Sequence, residues 1–220
     1  MTNGEILSHV DHTLLKAAAS WKEIQKLSEE GLKYKTASVC IPPSYVRPVC
    51  QDYRDLAVCT VIGFPLGYST GAVKMREAEE ALGDGAAELD MVINIGEIKN
   101  ARFTAVQNEI ESIKRIAGSK IVKVIIETCY LTTEEKTILC KIVSNTGADY
   151  IKTSTGFGSA GACMDDILLF RENIGPNLKI KAAGGIKTRE DMEAFIEAGC
   201  SRLGTSSALA ILAGRDGQAY

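Results

Sequence analysis

The chain has 220 residues, 45% hydrophobic and 24% charged, with a formal net charge of −3. This length and composition suit one packed α/β domain and exclude a disordered chain. No Lys/Arg run could neutralise a row of phosphates, no stretch nears the roughly 18 apolar residues of a membrane span, and the start lacks an export signal, which sets nucleic-acid and membrane partners aside.

Eight short β-branched or apolar runs follow in order: HVDHTLL, TASVCI, AVCTVIG, AELDMVI, VKVIIE, DYIKT, KIKAA and SRLGT. Taking Val10, Val39, Ile62, Met91, Ile125, Ile151, Ile180 and Leu203 as markers, successive steps are 23 to 34 residues, enough for one βα unit each. Helix punctuation fills the intervals. Ser20 with Glu23 and Thr132 with Glu135 read as capping boxes, and Thr188 with Asp191 is a weaker start signal. Gly83, Gly118, Gly147 and Gly199 stand where a helix needs a positive φ to stop. No linker interrupts the series, so the chain reads as one domain over 1–220 with a short tail from about 214. Closure removes both sheet edges and favours a single (β/α)8 barrel, with a doubly wound sheet as the alternative.

Cysteines stand at 40, 50, 59, 129, 140, 163 and 200, an odd number without a C-x-x-C pair. They read as reduced and mostly structural, which fits a cytoplasmic location. With His9 and His12 the only histidines, no tetrahedral zinc site or other metal is expected.

Barrel strands bury both faces, so ionisable residues within them are costly unless paired or used. They are Asp11, Asp90, Lys123, Glu127, Lys152 and Lys181. Active sites of such barrels lie at the carboxyl ends of the strands, so several should converge on one mouth. Lys123 with Glu127 reads equally as a structural ion pair. Lys152 and Lys181 fall on adjacent strands with fewer acids nearby than they need, and repulsion and desolvation both favour a neutral amine. Such an amine can attack a carbonyl, although perturbed lysines also serve as phosphate ligands.

Two segments read as anion cradles: AAGGIKT, with Gly184 and Gly185 after the seventh strand, and LGTSSALAILA, with Gly204, Ser206 and Ser207 after the eighth. Either alone is an ordinary βα turn, with Ser206 as an N-cap. Gly156-Phe-Gly-Ser-Ala-Gly161 matches G-x-G-x-x-G, but it falls late in the chain and no acid ends the next strand, where Lys181 stands.

DHTLLK at 11–16, SVC at 38–40, VIGFPLG at 61–67, DMVINIG at 90–96, KVIIET at 123–128, IKTSTGFG at 151–158, KAAGGIKT at 181–188 and RLGTSSA at 202–208 together resemble deoxyribose-phosphate aldolases, in order and over almost the whole chain. The resemblance implies a cofactor-free class I aldolase that splits 2-deoxy-D-ribose 5-phosphate in deoxyribonucleoside catabolism. It implies an imine on Lys152, with Lys181 perturbing it and Asp90 relaying protons. Asp11, Thr13, Cys40 and Thr155 would line the substrate site, with Gly156, Gly184, Gly185, Gly204, Ser206 and Ser207 at the phosphate. A terminal tyrosine, here Tyr220, would swing over the mouth to protonate the enamine, and a homodimer is implied. Some members carry a lysine where this chain has Phe157; Lys187 is the candidate to compensate, or a solvated surface residue. Rival readings are another Schiff-base sugar-phosphate aldolase, a non-catalytic sugar-phosphate-binding barrel, and a nicotinamide oxidoreductase resting on GFGSAG alone.

Overall fold

Strand runs apolar on both faces and separated by helices are satisfied when a parallel sheet is covered outside and filled inside. The structure, a computed structural model, describes residues 1–214. Eight parallel strands, β1 (Val10–Thr13), β2 (Ser38–Ile41), β3 (Val58–Ile62), β4 (Glu88–Val92), β5 (Ile121–Ile125), β6 (Tyr150–Lys152), β7 (Lys179–Ala183) and β8 (Cys200–Thr205), pair in chain order, and β8 returns to β1. The ladder therefore has no edge. This is the (β/α)8 barrel, and the doubly wound alternative is excluded. Between and beside the strands run α1 (Asn3–Leu7), α2 (Trp21–Tyr34), α3 (Val46–Asp52), α4 (Gly71–Gly83), α5 (Ile95–Lys99), α6 (Phe103–Ala117), α7 (Thr133–Ser144), α8 (Met164–Asn173), α9 (Arg189–Glu197) and α10 (Ala208–Leu212). Among the described residues no helix is long and apolar enough to cross a membrane.

Local signals account for most boundaries. Ser20–Glu23, Thr132–Glu135 and Thr188–Asp191 all form reciprocal capping boxes, and an unanticipated one, Thr2–Glu5, starts α1. Gly118, Gly147 and Gly199 take positive φ after α6, α7 and α9. Gly83 does not. The Asp84 amide still reaches the Glu80 carbonyl at 2.9 Å, so α4 winds on through Gly83, and the reversal falls on Gly85 at φ 106°.

Successive strand residues alternate between barrel interior and helix layer, and alternate strands share a level. By register, the inward residues form stacked layers of four. The lowest holds Ser38, Glu88, Tyr150 and Arg202; the next Asp11, Cys59, Lys123 and Lys181; the next Cys40, Asp90, Lys152 and Gly204. Barrel interiors of this type are usually filled by Val, Ile and Leu. Here the apolar core sits outside the sheet, where Val39, Leu89, Val124, Ile151 and Leu203 meet the helices, and the interior is polar. A β-bulge at Ile180/Lys181 shifts the β7–β8 register and sets Lys181 opposite Arg202.

The carboxyl end of β4 is held from outside by Lys74 on α4. Its buried ammonium donates to the Val92 carbonyl at 2.8 Å and to Glu109 on α6 at 2.9 Å. Burial pushes the Lys74 pKa down and that of Glu109 up, opposed in each by the partner's charge. Gly63 is required beside it: its φ is 61°, and a Cβ there would stand 2.7 Å from Lys74 Cε. Glu109→Ala would strand a buried ammonium and should cost on the order of 3 kcal/mol. Thermal or urea unfolding would measure this, and a loss below about 0.5 kcal/mol, the range of ordinary surface changes, would refute it.

Candidate active site

Four cations and three carboxylates meet inside the barrel: Lys123, Lys152, Lys181 and Arg202 with Asp11, Glu88 and Asp90. Asp90 is the hub. Its Oδ2 accepts from Lys152 Nζ and from Lys181 Nζ, each at 2.7 Å, and its Oδ1 accepts from Lys123 Nζ at 2.8 Å and from the Cys59 thiol at 3.1 Å. Lys181 also donates to Asp11. Lys123 reaches Glu88 at 2.6 Å. Arg202 closes the base of the network, bonded to Asp11, 3.0 Å from Glu88, and 5.5 Å over the Tyr150 ring.

These contacts set the charge states. Burial works against ionised Asp11 and Asp90, yet Lys123 and its neighbouring cations outweigh it and hold both carboxyls below the ordinary aspartate range. Burial likewise works against a charged Lys181, and Asp11 and then Asp90 hold its ammonium above the usual lysine range. Lys123 is raised in the same way, with Asp11 and Asp90 the main causes. The interior sets four basic groups against three carboxylates, and of the two lysines that the sequence offered for a neutral amine, Lys181 is instead held charged by Asp11 and Asp90.

Only one charged member of this network lines the cleft at the carboxyl end of the strands. It is Lys152, which shares the cleft with Thr13, Thr155, Gly156, Gly184, Gly185, Lys187, Gly204, Ser206 and Ser207. Asp90, Lys181 and Asp11 lie beneath it, all fully buried. Gly204 makes room for this stack, since a Cβ there would stand 3.1 Å from Lys181 Cε. Cys40 does not line the cleft; it packs with Leu15, Cys59, Val61 and Phe64. Its thiol is held below the ordinary value, first by its hydrogen bond with Cys59. A larger hollow, about 410 Å³, lies between α4 and α6 and contains none of the network.

The glycines of GFGSAG are used by the protein itself. Gly156 turns at φ 88°, Gly158 lies against Glu127 and Cys129, and a Cβ on Gly161 would stand 2.3 Å from the Gly184 carbonyl carbon. The motif packs the loop after β6 on the loop after β7, where Gly184 and Gly185 have φ of 75° and 73°. That removes the basis for a dinucleotide fingerprint. Phe157 turns from the cleft and meets Phe64 edge-on, ring centroids 5.3 Å apart. Lys187 is exposed at the cleft rim, its amide bonded to Asp191 at 2.9 Å.

Besides Cys40 and Asp11, which were expected to line the cleft and do not, three points depart from the sequence reading. Lys123 does not pair with Glu127: β5 carries Lys123 inward to Glu88, Asp90 and Asp11, whereas Glu127, past the strand end, accepts from Thr155. Glu88 and Arg202 were missed, although each lies two residues before an inward position, Asp90 and Gly204, which was the available signal. The barrel also brings thiols together that sequence spacing kept apart: Cys40, Cys59 and Asp90 place ligand atoms within 4.8 Å of one another, as do Asp11, Cys59 and Glu88. Lys123 Nζ already occupies Cys59, Glu88 and Asp90, so a cation there would have to displace an ammonium. Tyr220 lies outside the described residues.

Depressed carboxyl pKa values link stability to pH. The contribution of Asp11 and Asp90 is fully present above about pH 4, their ordinary range, and is lost as pH falls through the lower folded-state values. Asp90→Asn should therefore flatten the acid limb of a stability–pH curve; an acid limb with the parent slope would contradict this.

Comparison with known proteins identifies the family and the fold. A family model described as DeoC/LacD family aldolase matches residues 6–216. A protein of Clostridium botulinum (strain Alaska E43 / Type E3) named deoxyribose-phosphate aldolase is 56% identical over 100% of both chains. The solved structure described as QR15, an aldolase, superimposes with a TM-score of 0.91 at 38% identity, covering 96% of this chain and 95% of that one. The tetrameric deoxyribose phosphate aldolase of Aeropyrum pernix does so with a TM-score of 0.90 at 30% identity, over 97% and 92%. With a family match from end to end of the barrel, and relatives of this identity over their whole length, this chain belongs to the DeoC/LacD family of aldolases.

Proposed function

We propose that this aldolase reversibly cleaves 2-deoxy-D-ribose 5-phosphate to D-glyceraldehyde 3-phosphate and acetaldehyde through an imine on Lys152. The observation that carries the reading is that Lys152 alone among the buried charges reaches the cleft, while its amine shares Asp90 Oδ2 with Lys181. The name of the relative that matches over its full length supports the substrate. The free cysteines, all seven within the described residues, support a reducing, cytoplasmic location.

The steps follow from the residues. Lys152 is the amine that faces the cleft, and its neutral form is the nucleophile. Its nitrogen adds to C1 of the open-chain aldehyde, and the carbonyl oxygen leaves as water after protonation, leaving an iminium. Asp90, deprotonated and beneath Lys152, takes the C3 hydroxyl proton through a water. The C2–C3 bond then breaks, its electron pair moving to the iminium to form an enamine, and C3 becomes the aldehyde of glyceraldehyde 3-phosphate. Protonation of the enamine carbon and hydrolysis of the resulting iminium release acetaldehyde and restore Lys152. The iminium is itself the electron sink, so the scheme draws on no cofactor. Lys181 stays cationic throughout and keeps Asp90 ionised up to the step in which it takes that proton.

The phosphate is assigned to the far wall of the cleft. The Gly156 turn, the left-handed pair Gly184–Gly185 and the hydroxyls of Ser206 and Ser207 converge there, with Lys187 at the rim. Thr13 and Thr155 would flank the sugar.

Lys152→Leu should abolish both cleavage and borohydride trapping with deoxyribose 5-phosphate while leaving the circular dichroism spectrum unchanged; appreciable turnover would remove the imine mechanism. Ser206→Asp sets a carboxylate against the phosphate and should raise KM for deoxyribose 5-phosphate at least about tenfold, with a much smaller effect on free deoxyribose. Equal effects on the two substrates would move the phosphate elsewhere.

A further inference from the structure

Glu127 is a buried acid that the mechanism above does not use. It is 2% exposed, and among the described residues it forms no ion pair. Its backbone is unusual too. The Ile126 amide donates to the Lys152 carbonyl at 3.1 Å and the Thr128 amide to the Thr153 carbonyl at 2.9 Å, so pairing between these chains continues past the strand ends. Glu127 lies between those two bonds at φ 52°, in the left-handed region that a side chain disfavours.

What this strained, buried position delivers is a clamp on one residue. Both carboxylate oxygens accept from the Thr155 amide, at 3.2 and 3.3 Å, and Oε2 also accepts the Thr155 hydroxyl proton. The Thr155 hydroxyl in turn accepts from the Phe157 amide at 3.0 Å. The turn from Thr155 to Phe157 is therefore tied at both ends, with Gly156 at its apex. Gly158 lets the loop lie on the carboxylate, since a Cβ there would stand 3.1 Å from Glu127 Cδ. On its other side the apex touches the Gly184 turn: a Cβ on Gly184 would fall 3.3 Å from Gly156 Cα.

We propose that Glu127 is a positioning residue for substrate binding, which acts through Thr155 to hold the Gly156 apex against Gly184 and so sets the width of the cleft wall that receives the phosphate. The inference rests on the placement of the phosphate at that wall. A residue that sets a binding wall affects recognition of the anion rather than bond cleavage at Lys152. It should therefore move KM and leave kcat.

Kinetics with deoxyribose 5-phosphate and with free deoxyribose test this. Glu127→Ala is expected to raise KM for the phosphorylated sugar at least about fivefold, with kcat within about twofold of the parent and little change in KM for free deoxyribose; Thr155→Val, which also alters the cleft lining, should raise KM for the phosphorylated sugar by at least as much. Glu127→Gln keeps an acceptor facing Thr155 and should recover most of the loss. Because Glu127 acts through Thr155, the double variant should be no worse than the poorer single one. Strictly additive effects, a fall in kcat at unchanged KM, or equal effects on both sugars would overturn the proposal. If Glu127→Ala does not fold, Glu127→Asp, whose shorter side chain draws the carboxylate back from Thr155, carries the same comparison. A phosphate-selective defect in Ser206→Asp with none in the Glu127 and Thr155 variants would refute only the role of Glu127. If neither site discriminates the two sugars, the phosphate placement has failed as well.

Discussion

One carboxylate, Asp90, accepts from three lysine ammoniums inside the barrel, and the other features of the site depend on it. A carboxylate removed from water is costly by itself, as are three buried ammoniums; together, with hydrogen bonds in good geometry, they are tolerable. With Asp11, Glu88 and Arg202 included, four basic groups face three carboxylates. The imbalance cannot be relieved by Lys123 or Lys181, each held charged by Asp11 as well as Asp90. The lysine that meets Asp90 alone and faces the cleft is Lys152.

Placing charge inside the sheet has a structural consequence. A barrel normally draws much of its cohesion from branched apolar side chains stacked in its interior. Here those residues pack between sheet and helices, and the interior layers interlock through ion pairs and hydrogen bonds. Glycine and small residues fit where the charged stems need space, as Gly204 does beside Lys181. The polar interior thus serves stability and chemistry with the same groups, and loss of one partner would be felt in both.

The loops at the mouth divide the remaining work. The loop after β3 carries Gly63 and Phe64 and is braced by Lys74 and by Glu77, whose carboxylate accepts the Gly63 amide at 2.7 Å. Phe64 packs over Cys40 and Cys59 and meets Phe157, so aromatic contact ties the loop after β3 to the loop after β6 outside the cleft. The side of the cleft formed by the loops after β6, β7 and β8 is lined by backbone turns and hydroxyls.

Much of this was legible in the sequence. Eight strand runs at βα spacing, three capping boxes and the absence of a linker determined the elements and their order, because period, propensity and capping are local properties. Asp90, Lys152 and Lys181 could be singled out because a charged residue in a strand buried on both faces is an anomaly wherever it occurs. Partnership was not legible. Lys123 and Glu127 are four residues apart on one run, yet the strand carries one into the interior and the loop turns the other toward Thr155. Glu88 and Arg202, 114 residues apart, meet across the barrel. Sequence position argued against a nucleotide loop at GFGSAG, but what its glycines do instead, with Gly161 packed against Gly184, was not legible. Which charges pair, and which single lysine is left facing the cleft, depends on strand register and barrel closure. Those are set by the packing of the whole sheet, so only the tertiary structure decided them.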